Sequence, residues 1–312
     1  MLSIGDISAK VGKPIHILRS DYTRSRLREG WKTTVDLFKG ERMAQIGFIL
    51  ILSFLLMAMF APVLAPYEPG DINRDDDGQL LRTEAPSSDH WLGTNNRGQD
   101  VLSQVIYGAQ TSVIVGFAAA FMAVLIGANV ALIGAYYGGW FDDILQRVVD
   151  IAYGLPFLPF VLVLVFIFDQ GLHWMIVAIA AILWRDSARV IRSEVLTQKQ
   201  RPYVESARAV GANNPRIMYR HILPNVLPIV MIYMAFAVAY AVIMEASVAF
   251  LGFGDPDMFS WGQMMFEAYI RGGIRHAWWW VLPPGICIML LVMAVFFIGR
   301  SLEKITNPEL RH

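Results

Sequence analysis

The sequence predicts an all-α, polytopic membrane protein with six transmembrane helices and both termini in the cytoplasm. Three observations lead there. Of the 312 residues, 55% are hydrophobic and only 17% are charged, too apolar a balance for an ordinary soluble domain. Six stretches approach the ~20 apolar residues that a bilayer demands of a helix. With the N-terminus inside, 21 of the 26 Lys and Arg fall in inner segments and five in outer ones. Lys and Arg accumulate on the cytoplasmic side of membrane proteins, and that bias sets the orientation. The formal net charge is zero, so no global charge argues for nucleic acid. The single cysteine, Cys287, lies in an apolar run and makes neither an internal disulfide nor a multi-Cys metal site.

Residues 1–43 read as a cytoplasmic tail rich in Lys and Arg. No short apolar core near Met1 marks a cleaved signal peptide. Trp31, Val35 and Phe38 recur at roughly helical spacing, which suits a helix lying on the membrane surface. A partly ordered tail is the alternative. The first span, 44–65, holds no charge, and Pro62 and Pro66 stand at its far end.

An extracytoplasmic loop follows over 66–110, with acids at Asp71, Asp75, Asp76, Asp77, Glu84, Asp89 and Asp100. Asp75-Asp76-Asp77-Gly78 lacks the alternating oxygen ligands and closing Glu of a calcium loop, so it reads as a solvated acidic turn. The glycines and polar residues between His90 and Ser103 make a structured lead-in to the second span.

A core domain, 111–300, carries five further spans at about 111–135, 144–168, 172–190, 225–250 and 278–299. The 172–190 span is the weakest, because Trp184-Arg185-Asp186 interrupts it. Gly116 with Ala120, Gly127 with Ala131, and Gly134 with Gly138 let backbones approach closely, within the subunit or across an interface. Pro156 and Pro159 predict a kinked or broken third span, from packing or from a pathway. Glu245 is the one acid deep in the later apolar runs. It reads as a pathway or gate residue, or as a structural acid near the helix end. A short tail, 301–312, closes the chain on the inside.

One polar, basic stretch between spans carries the strongest signal, in the cytoplasmic loop 191–224. Pro202 suits a first helical turn, and Glu205 complements the helix dipole there. Val204, Ala207, Arg208 and Gly211 share one face, with Ala207 and Gly211 flat enough for another protein to approach. Gly211 or Asn213 ends that helix in a left-handed conformation. Asn214-Pro215 starts a second short helix as cap and first residue, running to Leu223-Pro224.

This stretch resembles the EAA loop of ABC importer permeases: a Glu, two small residues, a Gly six positions after the Glu, and a later Leu-Pro. Glu205, Ser206, Ala207, Gly211, Leu223 and Pro224 occupy those positions here. Ser206 replaces the usual first Ala, and His221 stands where many families carry Ile. Further matches are His90-Trp91-Leu92-Gly93-Thr94, Tyr136-Tyr137-Gly138-Gly139-Trp140, Phe250-Leu251-Gly252-Phe253-Gly254 and Trp279 to Gly285. Gly98-Gln99-Asp100 stands where the family has Gly-Arg-Asp. The chain is similar, over about 44–311, to the C-type permease of the dipeptide/oligopeptide/nickel family.

The resemblance implies the type I importer permease fold in the plasma membrane and a set of partners. These are a second, B-type permease, two ATP-binding subunits and an extracytoplasmic solute-binding protein. The ATPase dock would be Tyr203, Glu205, Ser206, Ala207, Gly211, His221, Leu223 and Pro224, driving a translocation path for di- or oligopeptides. Pro156 and Glu245 are the candidate pathway or gate residues. No Walker A sequence occurs, so ATP hydrolysis is expected on partners, with no catalytic residue, metal or cofactor on this chain. Nickel or another solute carried by the same machinery is the alternative substrate. A stand-alone secondary transporter would want internal repeats and paired mid-membrane charges. A membrane enzyme would want clustered catalytic side chains, and the sequence offers neither pattern.

Overall fold

The computed structural model describes residues 41–306, mostly helical apart from residues 65–100. The surface helix expected around Trp31, Val35 and Phe38 lies outside the described residues, as does the end of the 301–312 tail. Helix α1 (Arg42–Met59) and the short α2 (Ala61–Leu64) make the first expected span. Pro62 sits in the first turn of α2, where a missing N–H breaks no helical bond. Met43, Ile46, Phe48, Ile49 and Leu52 of α1 are exposed. A helix that presents so much apolar surface needs lipid or protein against it.

Residues 66–100 are held by turns and two isolated bridge pairs, Arg74 with Leu80 and Thr94 with Asp100. The Asp75 carboxylate accepts the Gln79 N–H at 2.7 Å, and its carbonyl accepts the Gly78 N–H at 2.9 Å. The first acid of the Asp triplet is therefore engaged by its own turn. The lead-in from His90 closes on Asp100, which caps α3 (Val101–Tyr137). Its carboxylate accepts from the N–H and hydroxyl of Ser103, at 2.7 Å each, and lies 2.9 Å from His90 Nδ1.

Helix α3 runs 37 residues, about 56 Å, and starts ten residues before the expected span at 111. Its polar first turns are buried rather than exposed: Ser103, Gln104, Thr111 and Ser112 all lie in the interior. The small residues along α3 face other helices of this chain. Gly116 abuts Val242, Gly127 abuts Trp184 and Ser187, and Gly134 abuts Asp142 and Leu145. A side chain at Gly127 would strike the backbone of Trp184, so that site requires glycine.

Gly138 (φ 70°) and Gly139 (φ 59°) turn the chain into α4 (Gly139–Gly154). The expected third span is not one helix. Helix α5 (Phe157–Phe168) leaves α4 at 91°. Leu155 and Pro156 form the corner, with Pro156 capping α5 and exposed. Arg185, on α6 (Leu172–Lys199), donates to the carbonyls of Ala152 and Leu155 at the end of α4. A cation there satisfies carbonyls that the break leaves free and complements the helix dipole.

Helix α6 continues nine residues past the expected end at 190. Helices α7 (Pro202–Ala209) and α8 (Asn214–Ile217) follow, then a π-helical turn at Met218–Ile222. That turn runs straight into α9 (Leu223–Val248) and a second π-turn at Ala249–Phe253. The second short helix thus does not stop at Leu223-Pro224; it opens a continuous stretch over Asn214–Phe253. Pro224 cannot donate to the carbonyl one turn back. The wide turn, in which the Leu223 N–H reaches the Met218 carbonyl, lets the helix pass this point unbroken. Helix α10 (Trp261–Ile270), the short α11 (Gly273–His276) and α12 (Trp278–Thr306) complete the fold.

Among the described residues, α1, α3, Asn214–Phe253 and the helix from Trp278 are each long and apolar enough to cross a membrane. The broken pair α4–α5 makes a fifth. The remaining expected span, 172–190, lies in α6, where Arg185, Asp186 and Arg189 shorten the apolar run. Helix α3 is central, packing on α6 and α9, and α12 lies between α9 and α1. One apolar cluster joins α3, α9, α10 and α12, and a second joins α3 to α6 through Val115, Ala119, Ile179 and Ile182.

Candidate functional site

The segment after α6 is built from two well-closed helix ends. Arg201 is extended (ψ 146°), and Pro202 opens α7 with Glu205 in its first turn. At the far end the Gly211 N–H donates to the Arg208 carbonyl and the Ala212 N–H to the Ala207 carbonyl, both at 3.0 Å. That pair of bonds is the Schellman closure, and it requires the left-handed backbone that Gly211 supplies at φ 80°. Asn213 then caps α8, accepting the Arg216 N–H at 3.2 Å. The cap is one residue earlier than expected from Asn214-Pro215, so Asn214 and Pro215 both stand inside the first turn.

The faces of α7 divide differently from the sequence expectation. Val204 is fully buried and Ala207 is buried with it, against Val195, Ile217, Met218 and Ile222. These small and branched residues fasten α7 to its own chain. Burying one Val is worth about 1.5–3 kcal/mol, enough to hold a two-turn helix down. The outward face is Glu205, Ser206, Arg208, Ala209, Val210 and Gly211, with Val210 84% exposed. Val210 is an apolar knob at the tip of a polar helix, which the sequence reading did not single out. Tyr203 is half-buried and donates to Gln198 Oε1 at 2.9 Å; burial pushes its phenol pKa up.

Three polar links tie this segment and the end of α6 to the second half of α3. The Tyr136 hydroxyl donates to Asn214 Oδ1 at 2.9 Å, and Tyr219 donates to Asn129 Oδ1 at 2.8 Å. Lys199 Nζ donates to the Ala135 carbonyl at 3.0 Å. Beside them Arg192 makes a two-pronged pair with Asp142, at 2.9 and 2.6 Å. Planar guanidinium–carboxylate pairs of this kind fix direction as well as distance. The segment after α6 is thus attached to α3, a helix that carries the interior. No spacing in the sequence signals these contacts, because their partners lie 50 to 90 positions apart.

The other expected site residues are scattered. Leu223 is half-buried and Pro224 exposed, both at the start of α9. The His221 carbonyl accepts from Asn225 Nδ2 at 2.6 Å. Its ring meets no hydrogen-bond partner among the described residues. Glu245 is 1% exposed and accepts from Ser112 Oγ at 3.0 Å, between α9 and α3. Next to it the backbone of Ala246 approaches Gly262 so closely that no side chain fits there. Pro156 lies at the α4–α5 corner, far along the chain from the 200–224 segment. No three His, Cys, Asp or Glu side chains gather as a metal would need, among the described residues.

Comparison with known proteins accounts for nearly the whole chain. The family described as "Binding-protein-dependent transport system inner membrane component" matches residues 123–311. The "N-terminal TM domain of oligopeptide transport permease C" matches residues 30–86. The dipeptide transport system permease protein DppC of Alkalihalophilus pseudofirmus is 33% identical, over 90% of both chains. The oligopeptide transport system permease protein OppC of Bacillus subtilis is 32% identical, again over 90% of both. The glutathione transport system permease protein GsiD of Pectobacterium atrosepticum is 31% identical over 95% of both. A chain of the MetNI methionine ABC transporter in an inward-facing conformation shares the fold, with a TM-score of 0.53 at 21% identity. That match covers 66% of this chain and 98% of the other.

Proposed function

Since the chain belongs to the family of inner-membrane components of binding-protein-dependent transport systems, we propose that it is one permease subunit of an ATP-driven peptide importer. It lines the translocation path with a second, B-type permease. Two ATP-binding subunits drive the pair, and an extracytoplasmic solute-binding protein delivers the solute. Relatives named for dipeptide, oligopeptide and glutathione transport support small peptides as the substrate class. The Lys and Arg bias supports cytoplasmic termini, an outer 66–100 segment and an inner 200–224 segment.

The observation that carries this reading is the outward face of α7. A short helix, fastened inward by Val204 and Ala207, presents Glu205, Ser206, Val210 and Gly211 to a partner. Because its segment is tied to α3 and runs directly into α9, a push on this face moves the bundle. In this scheme closure of the ATPase pair biases a two-state equilibrium of the permeases between inward and outward access. Ala207 acts by seating the helix rather than by touching the ATPase. Glu245, buried against Ser112, acts as a structural acid.

Co-expression of the chain with its genomic neighbours, followed by affinity purification, tests the partnership. An ATPase subunit is expected in the purified complex; its consistent absence overturns the proposal. Gly211→Arg and Glu205→Lys are expected to leave membrane insertion intact and to abolish substrate-stimulated ATP hydrolysis and uptake. Normal uptake with either change removes α7 as the coupling helix.

A further inference from the structure

A cavity of about 650 Å³ opens between α5, α6, α9 and α12. Its wall is mostly aromatic and aliphatic, with Phe157, Tyr233, Phe236, Tyr240 and Phe296. Into that wall α6 brings Asp186 and, beside it, Arg185. Asp186 is part-buried and lies about 21 Å along α6 from its first residue, Leu172.

The charged groups around this point differ in how they are met. Arg189 pairs with Asp150 at 2.7 Å and stacks over the Tyr153 ring at 3.9 Å. Arg192 pairs with Asp142. Arg185 is engaged by the carbonyls at the α4–α5 corner and by the rings of Tyr153 and Phe157. Asp186 differs from them: it accepts the Tyr153 hydroxyl at 2.7 Å, and no cation pairs with it among the described residues. A carboxylate set against an apolar wall is costly unless a cation meets it.

We propose that Asp186, held in place by Tyr153, receives the α-ammonium group of a peptide in transit through this cavity. Tyr233, Phe236, Tyr240 and Phe296 give the peptide's side chains an apolar wall, and their ring faces favour the cation as well. The inference rests on the peptide-importer reading and adds the place of contact. Other occupants fit less well. Lipid tails would leave the acid unmet. A divalent metal needs several ligands, and this acid lacks the companions for that. A second protein chain would have to bring its own cation to this point.

The test uses the assembled transporter in proteoliposomes with its binding protein and ATP. Phe236 is replaced by p-benzoylphenylalanine, and a radiolabelled dipeptide is the probe. Light is expected to cross-link the dipeptide to this chain. With Asp186→Asn added, cross-linking and uptake are expected to fall at least tenfold, and Asp186→Glu is expected to recover a substantial part. Tyr153→Phe, which frees the carboxylate without removing it, should give an intermediate loss. Each variant is first shown to co-purify with the ATPase subunits, so a folding failure is visible. Cross-linking only to a neighbouring protein chain or to lipid overturns the proposal. So does unchanged dipeptide uptake in Asp186→Asn. If the unsubstituted transporter carries no dipeptide at all, the peptide reading falls, and this inference with it.

Discussion

At the scale of single residues, Gly211 is decided by conformation and not by space. Nothing lies within 4 Å of a side chain built there, yet its φ is 80°. An alanine would fit and still strain the backbone by about 1–2 kcal/mol. Asn visits this region at lower cost, since its short amide bonds locally. Gly211→Ala is therefore expected to lower substrate-stimulated ATP hydrolysis about fivefold or more, and Gly211→Asn to lie closer to the unsubstituted protein. ATPase assays on the purified complex decide it, and equal loss in both variants would show that size matters and the left-handed turn does not. Tyr203 behaves differently. Burial raises its phenol pKa, so the folded state holds the proton more tightly. Its contribution to stability is present up to about pH 10 and fades only above that, leaving coupling independent of this group at neutral pH. The roles of Pro202, Glu205 and Gly211 as helix opener, first-turn acid and left-handed stop were legible in the sequence, because each acts through its own backbone. Those of Val204 and Ala207 were not. Spacing put them on one face, but only Ile217 and Ile222, brought back by the chain, show that the face looks inward.

At the scale of elements, the corner between α4 and α5 was half legible. Pro156 and Pro159 announced a break, and a break is there, at 91°. Its angle was hidden, because the group that fixes it is Arg185, some thirty positions away on α6. In the sequence Arg185 looked like a flaw in the weakest span. In the structure it satisfies the carbonyls that the break exposes. The same principle lengthened α3: Ser103 and Gln104 looked like loop residues until their burial gave them partners. Arg185 and Pro156 thus contribute to the corner in different ways. Pro156→Ala restores one N–H but leaves Arg185 holding the carbonyls, so the corner is expected to persist. Arg185→Met removes the cation that meets the Ala152 and Leu155 carbonyls, leaving Ala152 only the long Leu155 N–H bond at 3.4 Å and the end of α4 without its opposite charge. Pulsed electron-spin distances between labels on Trp140 and Ile167, each replaced by Cys in a Cys287→Ala chain, report the angle. A broadened or lengthened distance is expected for Arg185→Met and an unchanged one for Pro156→Ala. The reverse pattern would make proline the cause of the corner.

At the scale of the whole molecule, the open question is which way the bundle faces, and the exposed residues at its two ends give the means to ask it. Trp91 is 73% exposed in the turn-built segment before α3, and Val210 is 84% exposed at the tip of α7. Helix α3, about 56 Å long, separates the lead-in that Asp100 closes from the turn that Tyr136 ties to the α7–α8 segment. The two reporters therefore stand at opposite ends of the molecule. The lone Cys287 is part-buried in α12, so replacing it by Ala yields a thiol-free background. Of the 26 Lys and Arg, 21 fall in the segments read as inner from the sequence, and the topology proposed on that bias puts the Val210 end in the cytoplasm. Trp91→Cys in this background is expected to react with a membrane-impermeant maleimide in intact spheroplasts. Val210→Cys is expected to react only in inverted vesicles, and less once the ATPase subunits are bound. Labelling of position 210 from outside would reverse the topology and remove α7 from reach of any ATP-driven partner. Labelling from inside that the ATPase leaves unchanged would keep the orientation and move the dock elsewhere.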